Sequence, residues 1–450
     1  MYPDIGIIII LIIFLILGLF AYIRLRYPFW SIQPVYHTYD IRWFGSTAPI
    51  VVLRTGDAVI SKYTDKVHVL TKPFLDMDPE KIDEMVDLLQ CHYIGSDRIL
   101  NIIDRKTITH YLTGHSYPAY VSLYLEDRLE LESKTNVLDN TLLTTNSISQ
   151  IVNKPMVVGS MTSRPVRIFV GSEMTEETTY FWDFICDHRD FRARHISRYL
   201  IQTHLHKQQF STSEIKTGLF RKEAILCEGV VPLVKYKMST FLLQKIRPPK
   251  LPAHFTVVRI FNENLDILSD FLYGLTHPKQ QDRTQTAAFF SFCAFPELGS
   301  LVNLVKQHIL YVYALKRGEH IYGMYFFKDS KTIYDEMGDM LDGDGHGHGK
   351  QIECIASICN MDHNAPNLFF MGVLHALRDI TKYSTSSKTS PGTSGNFRII
   401  TFSHLAHNHL LLEKWRWKYT PLFETPCAYY GYNMVSAGMP INEQQCFILL

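Results

Sequence analysis

The chain has 450 residues with 45 basic and 44 acidic side chains, a formal net charge of +1, which excludes a protein that holds nucleic acid by neutralising many phosphates. It is 46% hydrophobic, 13% aromatic and 20% charged, the composition of a chain that buries a sizeable core rather than staying disordered. The 8 cysteines are scattered with no CxxC pair, so neither a disulfide framework nor a cysteine zinc module is indicated, and a reducing compartment fits better.

The first element is a block of 19 uncharged residues, Ile5 to Ile23, rich in isoleucine and leucine. At ~1.5 Å per residue it nearly matches the ~30 Å apolar thickness of a bilayer and reads as a transmembrane anchor. Asp4 precedes it while Arg24 and Arg26 follow, which puts the C-terminal part on the cytoplasmic side. The rival, a cleaved signal peptide, lacks a basic n-region and a small-residue cleavage site here.

Beyond the anchor, short strands and helices alternate. Asp78-Pro79 signals a helix start, with Ile82, Met85, Val86 and Leu89 recurring on one face. Strands are predicted at Tyr120 to Leu125, Met156 to Gly159, Val166 to Val170 and Phe181 to Cys186, an antiparallel meander with a polar excursion around Thr135 to Asn146. A helix follows near Ala193 to His206, then a strand Ala224 to Leu226 ending at Gly229. The run Pro248-Pro249-Lys250-Leu251-Pro252 marks a boundary between two halves, 27–247 and 253–450. The second half repeats the grammar: a strand at Val257 to Phe261, a helix carrying Leu265, Leu268, Leu272 and Leu275, and a hairpin of Ile309 to Ala314 with His320 to Phe327. Further strands are predicted at Cys354 to Ile358, Phe397 to Phe402, Ala428 to Tyr432 and Gln445 to Leu450, with helices at Asn367 to Tyr383 and His409 to Trp417. The Asp/Gly/His loop Asp342 to Gly349 has no EF-hand pattern and reads as solvated, and Ser384 to Asn396 as a flexible connector.

Three features could carry chemistry. Phe181 to His188 is a strand that leads into Arg192-Ala193-Arg194-His195-Ile196-Ser197, a basic helix start able to cradle a diphosphate, although many such starts only face solvent. The sequence ends on the apolar run Cys446 to Leu450, which draws a carboxylate toward the interior or forms an ordinary edge strand. Tyr27-Pro28-Phe29-Trp30 follows the anchor, where aromatics commonly form an interfacial belt.

Taken together the motifs resemble the N-myristoyltransferases. Phe29-Trp30-Ser31-Ile32-Gln33-Pro34-Val35 resembles that family's FWxTQPV, Asp183 to His188 its NFLCVH strand, Arg192 to Ser197 its RSKRLA loop, and Gly229-Val230-Val231 its AGVV. Asn408 with Leu412-Glu413-Lys414 resembles N..FLEKL, and Tyr429-Tyr430-Gly431-Tyr432-Asn433 resembles YYLYN. The resemblance implies a mixed α/β (α+β) fold of two fused GNAT-like acyltransferase halves, with a mixed, mainly antiparallel sheet, behind the N-terminal transmembrane helix. The implied reaction moves a myristoyl group from myristoyl-CoA to the N-terminal glycine of a protein, with no metal and no acyl-enzyme.

In the family's scheme the amides matching Phe184 and Ile185 are the oxyanion donors and the carboxylate of Leu450 is the general base. The loop matching Arg192, Ala193, Arg194, His195, Ile196 and Ser197 holds the coenzyme A phosphates, and Tyr27, Pro28, Phe29 and Trp30 close over the nucleotide. Asp183 and Cys227 stand where the family positions the amine with asparagine and threonine. His195 and Ser197 replace its arginine and alanine. Tyr93, Ile94 and then Gly95-Ser96-Asp97-Arg98 stand where the family reads basic peptide residues with an acidic run, so a preference for downstream lysine is expected to be weaker. Tyr325 resembles a peptide-site tyrosine. The expected partners are glycine-starting peptides and the membrane, with no nucleic acid and a monomeric chain. The alternatives are an inactive membrane-anchored relative that binds acyl-CoA or lipidated proteins, and a transferase acting on lysine or a small amine.

Overall fold

In the computed structural model, the described residues are 3–40, 50–54, 56, 60–94, 99–133, 149–243, 246–277, 290–334, 349–360, 366–386, 397–436 and 438–450. The apolar block forms α1 (Pro3–Arg26), whose apolar side chains from Ile7 to Tyr22 are exposed on every face. Its segment Gly6–Arg26, 21 residues, is long and apolar enough to cross a membrane.

After α1 come β1 (Ile50–Val52), β2 (Val69–Pro73) and α2 (Pro79–His92). Asp78 caps α2 as the sequence predicts, its side chain accepting from Glu80 N–H at 3.0 Å, and Ile82, Met85, Val86 and Leu89 are buried. β3 (Ile99–Asn101) and α3 (Arg105–Leu112) lead to the meander β4 (Tyr120–Ser133), β5 (Ser149–Val170) and β6 (Thr175–Asp187). Then come α4 (Ile196–Ser211), β7 (Gly218–Glu223), β8 (Val234–Leu242), β9 (Phe255–Ile260), α5 (Leu265–Thr276), β10 (Phe292–Phe295) and α6 (Leu298–Lys306). The hairpin β11 (Leu310–Arg317) and β12 (His320–Tyr334) turns at Gly318, whose φ of +59° suits a residue without a side chain. The chain finishes with β13 (Gly349–Cys359), α7 (Pro366–Ser386), β14 (Phe397–Ser403), α8 (Asn408–Arg416), β15 (Phe423–Tyr432), β16 (Met434–Ser436) and β17 (Cys446–Ile448).

Most strands join one 15-stranded sheet, whose main path runs β17-β10-β5-β6-β7-β15-β8-β14-β13-β12-β11-β9. It is mainly antiparallel, with parallel pairs at β10/β17, β6/β7 and β13/β14. This is the mixed sheet expected. The sheet does not stop at the proline-rich boundary: β15 lies between β7 and β8, and β10 carries β17 onto β5. Strands late in the sequence therefore complete the edges and centre of the early half, which brings Leu450 toward β5 and β6.

Several boundaries differ from expectation. Met156 to Gly159 and Val166 to Val170 are not separate strands; β5 runs unbroken for 22 residues because β4, β6 and β10 pair with it along its length, and pairing on both sides outweighs local propensity. Ala224 to Leu226 is not a strand. The pairing segment is β7 just before it, and Ala224 has φ +60°, outside the extended region. The helix predicted from Ala193 begins only at Ile196, preceded by a 3₁₀ turn over Arg189–Arg194. α7 extends through Ser386, so 384–386, predicted as the start of a connector, are helical. The segments 95–98, 135–146, 342–348 and 387–396 lie outside the described residues.

Candidate active site

The site is built on a bulge. β6 pairs with β5 through Cys186↔Ser160 and Asp183↔Thr162, leaving Phe184 and Ile185 together opposite Met161. Phe184 carries φ +50°, a left-handed conformation that a phenylalanine adopts only when its surroundings enforce it. Enforcement comes from both sides. Ser160 Oγ donates to Phe184 O at 3.0 Å and Thr162 Oγ1 to Asp183 O at 3.1 Å. The Phe184 ring packs between Tyr93 and Tyr111, at 5.9 and 5.5 Å between centroids, in one core. Ile185 packs against another core that holds Phe29 and Ile196. The bulge backbone thus lies at the boundary of two apolar clusters.

A polar cluster meets it there. Asp183 accepts from Tyr111 OH at 3.0 Å and Tyr93 OH at 3.3 Å, and its Oδ1 also accepts the Phe184 N–H at 2.9 Å. Burial, reinforced by Asp183, pushes the Tyr111 hydroxyl well above its ordinary range although Arg164 opposes the shift, so it stays a donor. The Arg164 guanidinium lies 3.6 Å from the centroid of the Tyr111 ring. Arg164 is 1% exposed, and its Nε and Nη1 have no hydrogen-bond partner among the described residues. Lys328 Nζ lies 5.0 Å from the same ring centroid and donates to the Leu450 main-chain oxygen at 3.3 Å. Leu450 itself is buried, held by β17 pairing with β10 and by Leu449 N–H donating to Ala294 O at 2.8 Å. Asp183, Tyr111, Lys328 and Leu450 therefore form one continuous chain of contacts.

The predicted phosphate loop is ordered by its own protein partners. Arg192 Nη2 donates to His92 O at 3.0 Å and Arg194 Nη1 to Glu126 Oε1 at 2.7 Å. His195 adopts φ +54° before α4 without capping it by side chain; the Ser197 N–H instead donates to Asp187 Oδ2 at 3.3 Å. Burial holds the Asp187 carboxyl above its usual range. An anion at this helix start would exchange with Asp187 and Glu126 rather than enter a vacant cradle. Ala193 is exposed and Ile196 buried.

Tyr27, Phe29 and Trp30 join Ile185 and Ile196 in one cluster, Trp30 stacked on Phe220 at 5.7 Å, with Pro28 half-buried beside them. The residues expected to cover the cofactor and the start of α4 are thus brought together. Cys227 packs in this same cluster, its thiol pushed up to about 11 by burial, and has no described contact with Asp183. Tyr325 is fully buried in a third core, its hydroxyl donating to Phe369 O at 2.7 Å. It faces away from the site, since Met324 and Phe326 share the face of Lys328 while Tyr325 and Phe327 occupy the other.

Arg164, Tyr111 and Lys328 are the site residues that motif reasoning missed. Arg164 follows Thr162 and precedes Val166 and Ile168 in the alternating register of β5, and Lys328 follows Met324 and Phe326 in that of β12. A charge at the inward position of an apolar alternation was the available signal.

No family model and no curated protein matches the sequence. Solved structures do match. The fold is similar to that of Saccharomyces cerevisiae N-myristoyltransferase with bound myristoyl-CoA at TM-score 0.62 and 10% identity, covering 94% of this chain and 99% of that one. A second structure of that enzyme with myristoyl-CoA gives TM-score 0.62 at 11% identity, with 93% and 90% covered. A third, with myristoyl-CoA and inhibitors, gives 0.60 at 12%, with 94% of each covered. The chain has the N-myristoyltransferase fold over nearly its whole length.

Proposed function

We propose that the chain is a membrane-anchored N-myristoyltransferase that moves the acyl group of myristoyl-CoA directly onto the amine of an N-terminal glycine. The observation that carries this reading is the Phe184–Ile185 bulge, with Asp183 on one side and Leu450 linked to it through Lys328 and Tyr111, inside a fold shared with that enzyme. The thioester carbonyl would lie at the bulge, where main-chain donors are worth ~3 kcal/mol of barrier each. The acyl-CoA would be covered by Tyr27 to Trp30 and its diphosphate taken by the loop Arg192 to Ser197. The ammonium would rest between Asp183 and the Leu450 carboxylate, which serves as general base; removal from water makes a carboxylate more basic. α1 would span the bilayer with Arg24 and Arg26 at the cytoplasmic face, so that the acyl-binding cluster, reached through Tyr27 to Trp30, adjoins the membrane.

One observation favours a second reading. The Asp183 carboxylate already occupies the Phe184 N–H, as it would in a non-catalytic binder of acyl-CoA. Mixing the full chain with myristoyl-CoA, a glycine-starting peptide and a thiol reporter separates the two, since only a transferase releases free coenzyme A. Adding one residue after Leu450, or deleting Leu450, should abolish release and leave acyl-CoA binding intact. Full turnover in both variants would remove the carboxylate from the mechanism.

A further inference from the structure

Lys328 is unaccounted for by a mechanism that needs only one carboxylate. Its Nζ donates to the Leu450 oxygen at 3.3 Å, so in its charged form it would lower the basicity of the very group assigned as base. It also shares a confined space with many charges: Asp183 from β6, Arg164 from β5, Arg221 from β7 and Glu353 from β13, with the Tyr111 ring of α3 between it and Asp183. Arg221 lies 3.6 Å from Glu353, which leaves Arg164 and Lys328, among the described residues, as the cations packed on Tyr111 beside Asp183 and the proposed Leu450 carboxylate. That count is balanced before any substrate arrives. An incoming glycine ammonium brings a third cation, and the site regains balance only by giving up a proton. A guanidinium cannot release one; a lysine ammonium can.

We infer that Lys328 is a catalytic residue of the proposed transfer: as the neutral amine, paired with Leu450, it accepts the first proton of the glycine ammonium. The inference rests on the proposed acyl transfer. In the balanced step, Lys328 takes one proton from the ammonium, the freed amine attacks the thioester carbon, and the C–N bond forms as the C–S bond breaks. The second amine proton passes to the Leu450 carboxylate, the general base of the attack itself, and from it to the departing sulfur as the coenzyme A thiol, and Lys328 later returns its proton to solvent. The electrostatics point the same way. Burial, with Arg164 and Arg221 adding and Asp183 and Glu353 opposing, draws the ammonium down to about 8, toward the range of a peptide α-amine, while a charged Leu450 carboxylate draws it back up.

The test measures coenzyme A release from myristoyl-CoA by the full chain with a glycine-starting peptide. Lys328→Arg keeps the charge but cannot accept a proton, and should lose about 100-fold or more in kcat with myristoyl-CoA affinity unchanged. Lys328→Ala should be equally impaired and regain at least about tenfold when small primary amines are added, the gain rising with their basicity. A lysine that merely held Leu450 in place would be replaced well by arginine and would show no such amine dependence. Near wild-type turnover in Lys328→Arg, or an alanine variant that no amine rescues, overturns the assignment while leaving acyl transfer standing. A wild-type chain that releases no coenzyme A overturns both.

Discussion

The Asp183 carboxylate and the Phe184 main-chain N–H are bonded at 2.9 Å, a side chain closing on the amide that follows it. That amide belongs to the bulge and is the one assigned to the oxyanion. A bond to a charged acceptor is roughly twice as strong as one to a neutral acceptor, so the carboxylate competes with a thioester oxygen until something draws it away. An ammonium is suited to do so. Asp183→Asn should therefore raise the peptide KM about tenfold, through loss of the anion that attracts the amine, while kcat holds or rises because the amide is released more easily. Steady-state kinetics of the two proteins settle it. A fall in kcat at unchanged KM would mean that the carboxylate acts in the chemical step.

Docking of β17 should be as critical as the residue it delivers. Phe447 is fully buried, with the rings of Phe290, Phe295 and Phe326 at 5.8, 6.5 and 5.5 Å between centroids. β17 is only three residues long and pairs with β10 alone at the end of the sheet path, so packing must supply what few hydrogen bonds cannot. Phe447→Ala should cost ~3–5 kcal/mol and Phe447→Leu less than ~1.5 kcal/mol, read from denaturant midpoints. The alanine variant should also lose acyl transfer, although Phe447 touches no substrate in the proposed mechanism.

The sequence shows the spacing of elements better than their partners. α2 is legible because Asp78, Pro79 and the Ile82 to Leu89 stripe are all local signals, and the β11/β12 hairpin because Gly318 marks its turn. α3, β8, β10 and α6 escape notice. β10 is four residues long and exists because β5 and β17 flank it, a pairing no local pattern encodes. The chemical cluster divides the same way. Asp183, Phe184 and the loop near Arg192 are contiguous, so motif order finds them. Lys328, Arg164 and Tyr111 come from three separate elements and meet only through the sheet; Cys227, matched by motif to an amine-positioning threonine, packs in the cluster around Ile185 without a described contact to Asp183, and Tyr325, matched to a peptide-site tyrosine, packs in a separate core.

Arg194 and Glu126 offer a handle on acyl-CoA affinity. Their 2.7 Å ion pair is exposed, 59% and 29% by side chain, and such pairs contribute at most ~1 kcal/mol. A diphosphate offers more charge to the same guanidinium. Glu126→Gln should then lower the myristoyl-CoA KM severalfold by freeing Arg194, and Arg194→Ala should raise it, with the difference shrinking as salt is added. Opposite movement in Glu126→Gln would place the phosphates elsewhere.

Acid should weaken the fold through buried neutral histidines. Burial pushes His204 down to about 3, and its ring nitrogens sit 2.8 and 2.7 Å from the hydroxyls of Ser122 and Ser163. Burial likewise takes His115 to about 4, with Arg164 adding, and His407 to about 4, with His409 adding. The sign follows from proton counting. Below ~6.5 the unfolded chain binds protons at these rings and the folded chain does not, so stability is complete above ~6.5 and declines as pH falls toward the folded values, by up to ~1.4 kcal/mol per pH unit for each ring. His204→Gln removes one of these contributions. Denaturant midpoints taken between about pH 7.5 and about pH 5 should show wild type losing stability faster than the variant, the gap between them narrowing with acid. Parallel curves would mean that His204 takes up its proton without unfolding.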